Sequence, residues 1–222
     1  MIGPFARSPT LRDLMEAIAT GDVAEAERLL AATPDLATDQ LVDGATRQEP
    51  LKHFLPTLEC YLYKGDSALH IAAAAWQPEL LRKLIACGAK VMVRNRRGAT
   101  PLHHAASGNP DSSRWDPLAQ AATIAMLIAE GADPNATDDN GSTPLHKAIR
   151  TRCASATDAL LRLGADSAIR TRNGSTCRKL ASVPSGRGGS GSRQAKEQQA
   201  RIVELLGRQD GASSERTVRT DV

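Results

Sequence analysis

The chain has 222 residues and a mass of 23.6 kDa, enough for one sizeable core or two smaller ones. Its 28 Lys and Arg against 25 Asp and Glu leave a net charge of only +3. Alanine and leucine dominate while aromatics reach 3%, which argues against a β-sandwich or barrel and for helices that stack closely.

The N-terminal stretch MIGPFARSPTLRDLMEA lacks the apolar h-region of a signal peptide. The longest uncharged, mostly apolar run, Pro117–Ala129, falls short of the roughly 20 residues that a bilayer requires. Cys60, Cys87, Cys153 and Cys177 form no CxxC pair and fit neither a zinc site nor a redox motif. A cytoplasmic protein with structural thiols is the expectation.

Residues 11–36 place Leu14, Ala17 and the Leu29-Leu30 pair at helical spacing around Gly21, predicting a helix-turn-helix unit. The pattern lapses over 37–64, which holds Phe54, Tyr61 and Tyr63 and is expected to plug the gap to the next unit; a ligand-binding flap is the alternative. GDSALHIAAA (65–74) then recurs as GATPLHHAAS (98–107), GSTPLHKAIR (141–150) and GSTCRKLASV (174–183). The aligned Ser67, Thr100, Thr143 and Thr176 are 33, 43 and 33 residues apart. Leu-rich blocks follow the first three copies: LLRKLIACGAK, TIAMLIAEGADPNA and TDALLRLGADSA.

Within TPLHHAA, Leu102, Ala105 and Ala106 lie on one small apolar face of a short helix. Ala72, Ala105, Ala148 and Ala181 let neighbouring first helices approach. Pro101 and Pro144 suit a first helical turn, after Thr100 and Thr143 as N-caps. Gly88, Gly131 and Gly164 stand where the second helix needs a left-handed cap. Between units, runs such as ADPNATDDNG carry hairpin-turn chemistry.

The period of 33 and the TPLH, LL and GAD motifs resemble the ankyrin repeat family over residues 65–175. The resemblance implies an all-α repeat solenoid, an ankyrin array of about five helix-turn-helix repeats joined by β-hairpin-like loops. The repeats fall at about 11–36, 65–97, 98–140, 141–173 and 174–207, in a single domain spanning 1–207, with a flexible tail at 208–222. Repeats three and five carry long insertions between their helices, SGNPDSSRWD and VPSGRGGSGSRQ. Those insertions are similar to ones in a group of bacterial ankyrin proteins.

The resemblance further implies a non-catalytic scaffold whose concave face and hairpin tips bind another protein. The exposed helix positions would be Ile71, His104, Lys147 and Leu180. The tips form a basic–acidic–basic comb: Arg94, Arg96 and Arg97, then Asp138 and Asp139, then Arg170 and Arg172. Such a comb suits a protein with its own charge pattern. Nucleic acid is disfavoured by the modest pI near 8.8, the acidic interruption and the lack of an aromatic stacking platform. A second possibility is a receptor for a phosphate-bearing or other anionic ligand at the corner of the two insertions. Its residues would be Trp115, Arg150, Arg152, Arg187, Gly188 and Gly189, with help from Arg114 and Arg193.

His70, His103 and His146 share one repeat position, so a repeated hydrogen-bonding task is expected of them rather than metal binding. No Ser/His/Asp set, HExxH or phosphate loop is present. The sequence therefore predicts no enzymatic activity, cofactor or metal. A capped solenoid needs no self-association, so a monomer is expected.

Overall fold

Thr10 opens the first helix with a reciprocal cap: its Oγ1 accepts from the Asp13 N–H, and the Asp13 carboxylate accepts from the Thr10 N–H at 2.8 Å. Helix α1 (Leu11–Thr20) stops at Gly21, whose φ of 78° closes the turn into α2 (Val23–Ala32). This computed structural model describes residues 8–183 and 192–218, with side chains through Arg208. After α2 the chain leaves the repeat pattern, passing through 3-10 turns at Leu51–His53 and Pro56–Leu58. A minimal hairpin joins β1 (Phe54–Leu55) to β2 (Cys60–Tyr61), pairing Phe54 with Tyr61.

Four more helix pairs follow: α3 (Ala68–Ala74) with α4 (Pro78–Ala86), α5 (Pro101–Ala105) with α6 (Pro117–Ala129), α7 (Pro144–Arg150) with α8 (Ala154–Arg162), and α9 (Cys177–Ser182) with α10 (Arg193–Val218). The first helices pack α1 on α3, then α5, α7 and α9; the second helices pack α4 on α6, then α8 and α10. The architecture is an all-α repeat solenoid. Ala72, Ala105 and Ala148 are fully buried in the inner layer, where small side chains let the helices approach. Leu80, Leu84, Leu127 and Leu160 fill the space between layers.

Each inner helix from α3 to α7 starts with a cap in which histidine takes the third helical position, usually Glu or Gln. The backbone N–H groups of Ser67, Thr100 and Thr143 donate to Nδ1 of His70, His103 and His146 at 3.1, 3.1 and 3.2 Å. An accepting Nδ1 puts the ring proton on Nε2. From there His70 donates to Ala99 O at 3.1 Å and His103 to Ser142 O at 2.9 Å, one repeat further on. The shared histidine position thus ties helix to hairpin.

The hairpins are also linked directly. Arg96 N–H donates to Lys64 O (2.7 Å), Asp139 N–H to Arg97 O (2.9 Å) and Arg172 N–H to Asn140 O (2.9 Å). Gly88, Gly131 and Gly164 take φ values of 94°, 94° and 93° beyond their helices. Pro101 and Pro144 occupy the first turns of α5 and α7.

Two connections are long, 106–116 between α5 and α6 and 183–192 between α9 and α10, against 151–153 between α7 and α8. Asp116 ends the first of them by accepting from Leu118 and Ala119 N–H, both at 2.9 Å. The last helix continues to Val218, past the boundary at 207 and into the stretch expected to be a tail. The Glu204–Arg208 pair, one turn apart, spans that boundary. Among the described residues, no helix is long and apolar enough to cross a membrane.

Candidate functional site

The three equivalent positions on α3, α5 and α7 are Ile71, His104 and Lys147, and they differ in what they show. His104 and Lys147 keep 15% and 21% of their side chains exposed. Ile71 is fully buried, in one hydrophobic cluster with Leu55 and Leu62 of the 38–64 segment. With no exposed surface, Ile71 is a core residue rather than the exposed contact expected from its repeat position.

His104 Nε2 lies 3.7 Å from Asp66 Oδ1, and its ring meets His70 edge-on at 5.0 Å. Asp66 is fully buried and accepts from the Tyr63 N–H (2.7 Å) and from Asn95 Nδ2 (2.8 Å). Burial lowers the His104 pKa, against the opposing charge of Asp66, so the ring is neutral at pH 7. Asp66, His70 and His104 bring ligand-type atoms within 4.8 Å of one another. Both His70 nitrogens are already engaged, by the Ser67 N–H and by Ala99 O. A metal ion there would have to break those bonds.

Lys147 Nζ sits 2.7 Å from Asp138 Oδ2, a carboxylate with only 2% of its side chain exposed. The other oxygen of Asp138 accepts from Asn140 and Ser142 N–H, both at 2.9 Å. Burial alone would raise its pKa; the Lys147 ammonium and the two N–H groups outweigh that and hold it below the usual range. Asp138 therefore folds its own hairpin and neutralises Lys147, which removes it from the exposed comb. Asn95 does the same in the preceding hairpin, accepting from Arg97 and Ala99 N–H at 2.9 and 3.1 Å.

Arg94, Arg96, Arg97, Asp139, Arg170 and Arg172 remain exposed along the row of tips. Several are anchored: Arg94 to Thr137 O at 2.8 Å, Arg96 to Ala45 O, and Arg97 to the Tyr63 hydroxyl at 2.8 Å. Both Arg96 and Arg97 lie over the Tyr63 ring, 5.3 and 4.9 Å from its centre.

Between the 38–64 segment and the 106–116 loop, the concave side deepens into a cavity of about 490 Å³. His104, Lys147, Arg97, Trp115, Arg114, Arg150, Tyr61 and Tyr63 are among its lining residues. Asn109 Nδ2 reaches Glu59 Oε2 at 3.5 Å, joining the two covering segments. Burial pushes the Cys60 thiol, which also lines the cavity, up to about 12, and the Asp66 charge adds to the effect. That thiol is protonated and poorly nucleophilic at neutral pH.

The corner expected for an anion is only partly assembled. Trp115 and Arg150 line the cavity. Arg152 takes a left-handed conformation (φ 59°) and is 2% exposed, off the cavity lining, so the turn after α7 separates the two arginines. Arg187, Gly188 and Gly189 lie outside the described residues. The two long connections do touch, through Ser192 Oγ donating to Asp111 Oδ1 at 2.6 Å. The sequence pointed to Tyr61 and Tyr63 only through the flap alternative for their segment, and it missed Trp76 altogether. The signal available was scarcity: both tyrosines and both tryptophans of the chain line this one cavity.

A helical repeat stack with a ridge of hairpin tips and a covered concave face defines the class. Family models for ankyrin repeats match residues 14–115 (three copies), 97–139 (one repeat) and 127–181 (many copies). The chain carries ankyrin repeats. It is 36% identical over 110 residues to the mouse (Mus musculus) ankyrin repeat and SOCS box protein 16, covering 49% of this chain and 23% of that protein. It is 35% identical over 112 residues to the E3 ubiquitin-protein ligase KEG of Arabidopsis thaliana, covering 49% of this chain and 6% of that protein. Against the human (Homo sapiens) neurogenic locus notch homolog protein 1 the figures are 31% over 126 residues, 46% of this chain and 5% of that protein. The chain thus spans under a quarter of the length of each of these relatives.

Proposed function

We propose that the concave face and the hairpin tips form a non-catalytic surface that binds a partner protein. The observation that carries this reading is the rigid row of tips, each bonded backbone-to-backbone to the next, which holds Asp139, Arg170 and Arg172 exposed in fixed order. A pre-ordered surface loses little conformational freedom on association. Similarity to an ankyrin repeat and SOCS box protein adds support, because ankyrin repeats typically bind other proteins. Free thiols, two of them buried at Cys153 and Cys177, suit a reducing cytoplasm.

The test is partner capture from native extract with the wild-type chain and with an Asp139→Lys/Arg170→Glu/Arg172→Glu variant. Reversing the charges at the tips leaves the core untouched, so the circular dichroism spectrum stays the same. A protein retained by the wild type, competed by excess free chain and lost from the variant fits the reading. An identical set of captured proteins from both overturns it.

A further inference from the structure

Aromatic side chains are rare in this chain, with two Trp, two Tyr and two Phe among 222 residues. Four of those six line a single cavity: Tyr61, Tyr63, Trp76 and Trp115. Core packing does not require this, because the repeat core is filled by Ala, Leu and Ile. The rings are also held still. Trp76 Nε1 donates to Ala105 O and Trp115 Nε1 to Gln120 Oε1, both at 3.0 Å, while Tyr61 packs against Phe54 with 5.0 Å between ring centres.

Charge accompanies the rings. Arg97, Arg114 and Arg150 line the cavity, and among the described residues none of them has a carboxylate at ion-pair distance. Lys147 is neutralised by Asp138, while Glu59, which meets only the neutral amide of Asn109, keeps one negative charge against the three arginines. The lining therefore keeps guanidinium groups without a carboxylate partner, Arg97 bonded only to the Tyr63 hydroxyl, beside flat, amphipathic rings, the combination that recognises an anionic group attached to a planar body. The volume of about 490 Å³ falls in the range of small-molecule sites. Backbone strain gathers here too: Glu59 and Trp76, both in the lining, have φ of 49° and 53°.

We propose that this cavity binds a small anionic molecule with a planar body, an aryl phosphate or aryl carboxylate in chemical class. The guanidinium groups of Arg97 and Arg150 take the anion, and the Trp115, Tyr61 and Tyr63 rings take the planar part. The cavity lies on the same concave side and shares Arg97 with the tips, but Asp139, Arg170 and Arg172, which the partner test substitutes, are not in its lining, so the two assignments can fail separately.

Trp76 and Trp115 are the only tryptophans, and both line the cavity, so their emission reports on it directly. The experiment titrates the full chain with phenyl phosphate and with benzoate at constant ionic strength, alongside inorganic phosphate, phenol and the tripeptide Glu-Tyr-Glu. A saturable emission change with at least one aryl anion is expected below about 10 mM. An Arg97→Gln/Arg150→Gln variant should weaken it by about tenfold or more with unchanged circular dichroism. Phenol should leave the emission unaltered, and inorganic phosphate should bind more weakly than phenyl phosphate. No saturable change with either aryl anion overturns the proposal, as does a change that survives both substitutions. Tighter binding of Glu-Tyr-Glu than of either aryl anion also overturns it, and makes the cavity part of a protein-binding face.

Discussion

Gln120 of α6 and Gln199 of α10 make the same bond in different repeats. Each Nε2 donates to the last turn of the paired inner helix, to Ala105 O at 3.0 Å and to Ala181 O at 2.8 Å. Each also reaches the carbonyl two residues on, Ser107 O at 3.5 Å and Val183 O at 3.2 Å. Inner helices end by leaving carbonyls without intrahelical partners. Where the chain departs into a long connection, a glutamine from the second helix satisfies them.

Replacing Gln120 by Ala leaves Ala105 O with only Trp76 Nε1 and removes the support of Trp115. Gln120 is fully buried, so the expected loss is about 1–2 kcal/mol, read as a lower urea midpoint. Gln199→Ala, at a half-buried position, should cost less, about 0.5–1 kcal/mol. Equal losses at the two sites would contradict the difference in burial.

Much of this architecture is legible in the sequence because its determinants are local and repeated. Thr100, Pro101 and His103 recur as Thr143, Pro144 and His146, and each trio specifies a helix start within four residues. Gly88, Gly131 and Gly164 mark helix ends by the same logic. The cavity is not legible in this way. Tyr61 and Tyr63 belong to a segment without periodicity, Trp115 to an irregular loop, and only the stacking of α3, α5 and α7 brings them together. Ile71 and Asp138 mislead for related reasons: periodicity gives a face but not what covers it, and a tip carboxylate can serve its own turn.

The buried histidines make stability depend on pH. Burial lowers the pKa of His70 and His103 from 6.5 to about 4, with the charge of neighbouring His104 adding to the effect at His70. Between those values the unfolded chain binds a proton that the folded one refuses, so stability is complete above pH 6.5 and falls as pH drops toward 4. The loss is about 3 kcal/mol for each ring at pH 4. Thermal unfolding from pH 7.5 to 4 checks this. His103→Gln should flatten the decline by one proton's worth of slope, and an unchanged slope would refute the assignment.

Asp138 and Lys147 are coupled as a pair in a nearly closed setting. Lys147→Met strands a carboxylate that is 2% exposed, with only the Asn140 and Ser142 N–H groups to hold it. The expected cost is about 2 kcal/mol, since the lysine side is itself 21% exposed. Asp138→Asn keeps an oxygen for the turn and removes the charge, costing about 1 kcal/mol. The double variant should lose less than the sum of the two, and strict additivity in a double-mutant cycle would count against the coupling.

Gly141 and Gly174 share a φ of 70° yet differ in what surrounds them. A Cβ on Gly141 would lie 2.8 Å from the backbone nitrogen of Arg172, the atom that donates to Asn140 O and joins two hairpins. At Gly174, in the last of these hairpins, a Cβ meets nothing within 4 Å among the described residues. Alanine at 174 should therefore cost only the left-handed backbone penalty, about 1 kcal/mol. Alanine at 141 carries the same penalty and must also push the next hairpin away, adding about 1–3 kcal/mol. Chemical unfolding of the two single variants decides the matter: a common cost would mean that contact between the tips contributes nothing, whereas a larger loss at 141 measures how strongly the hairpin row is tied together.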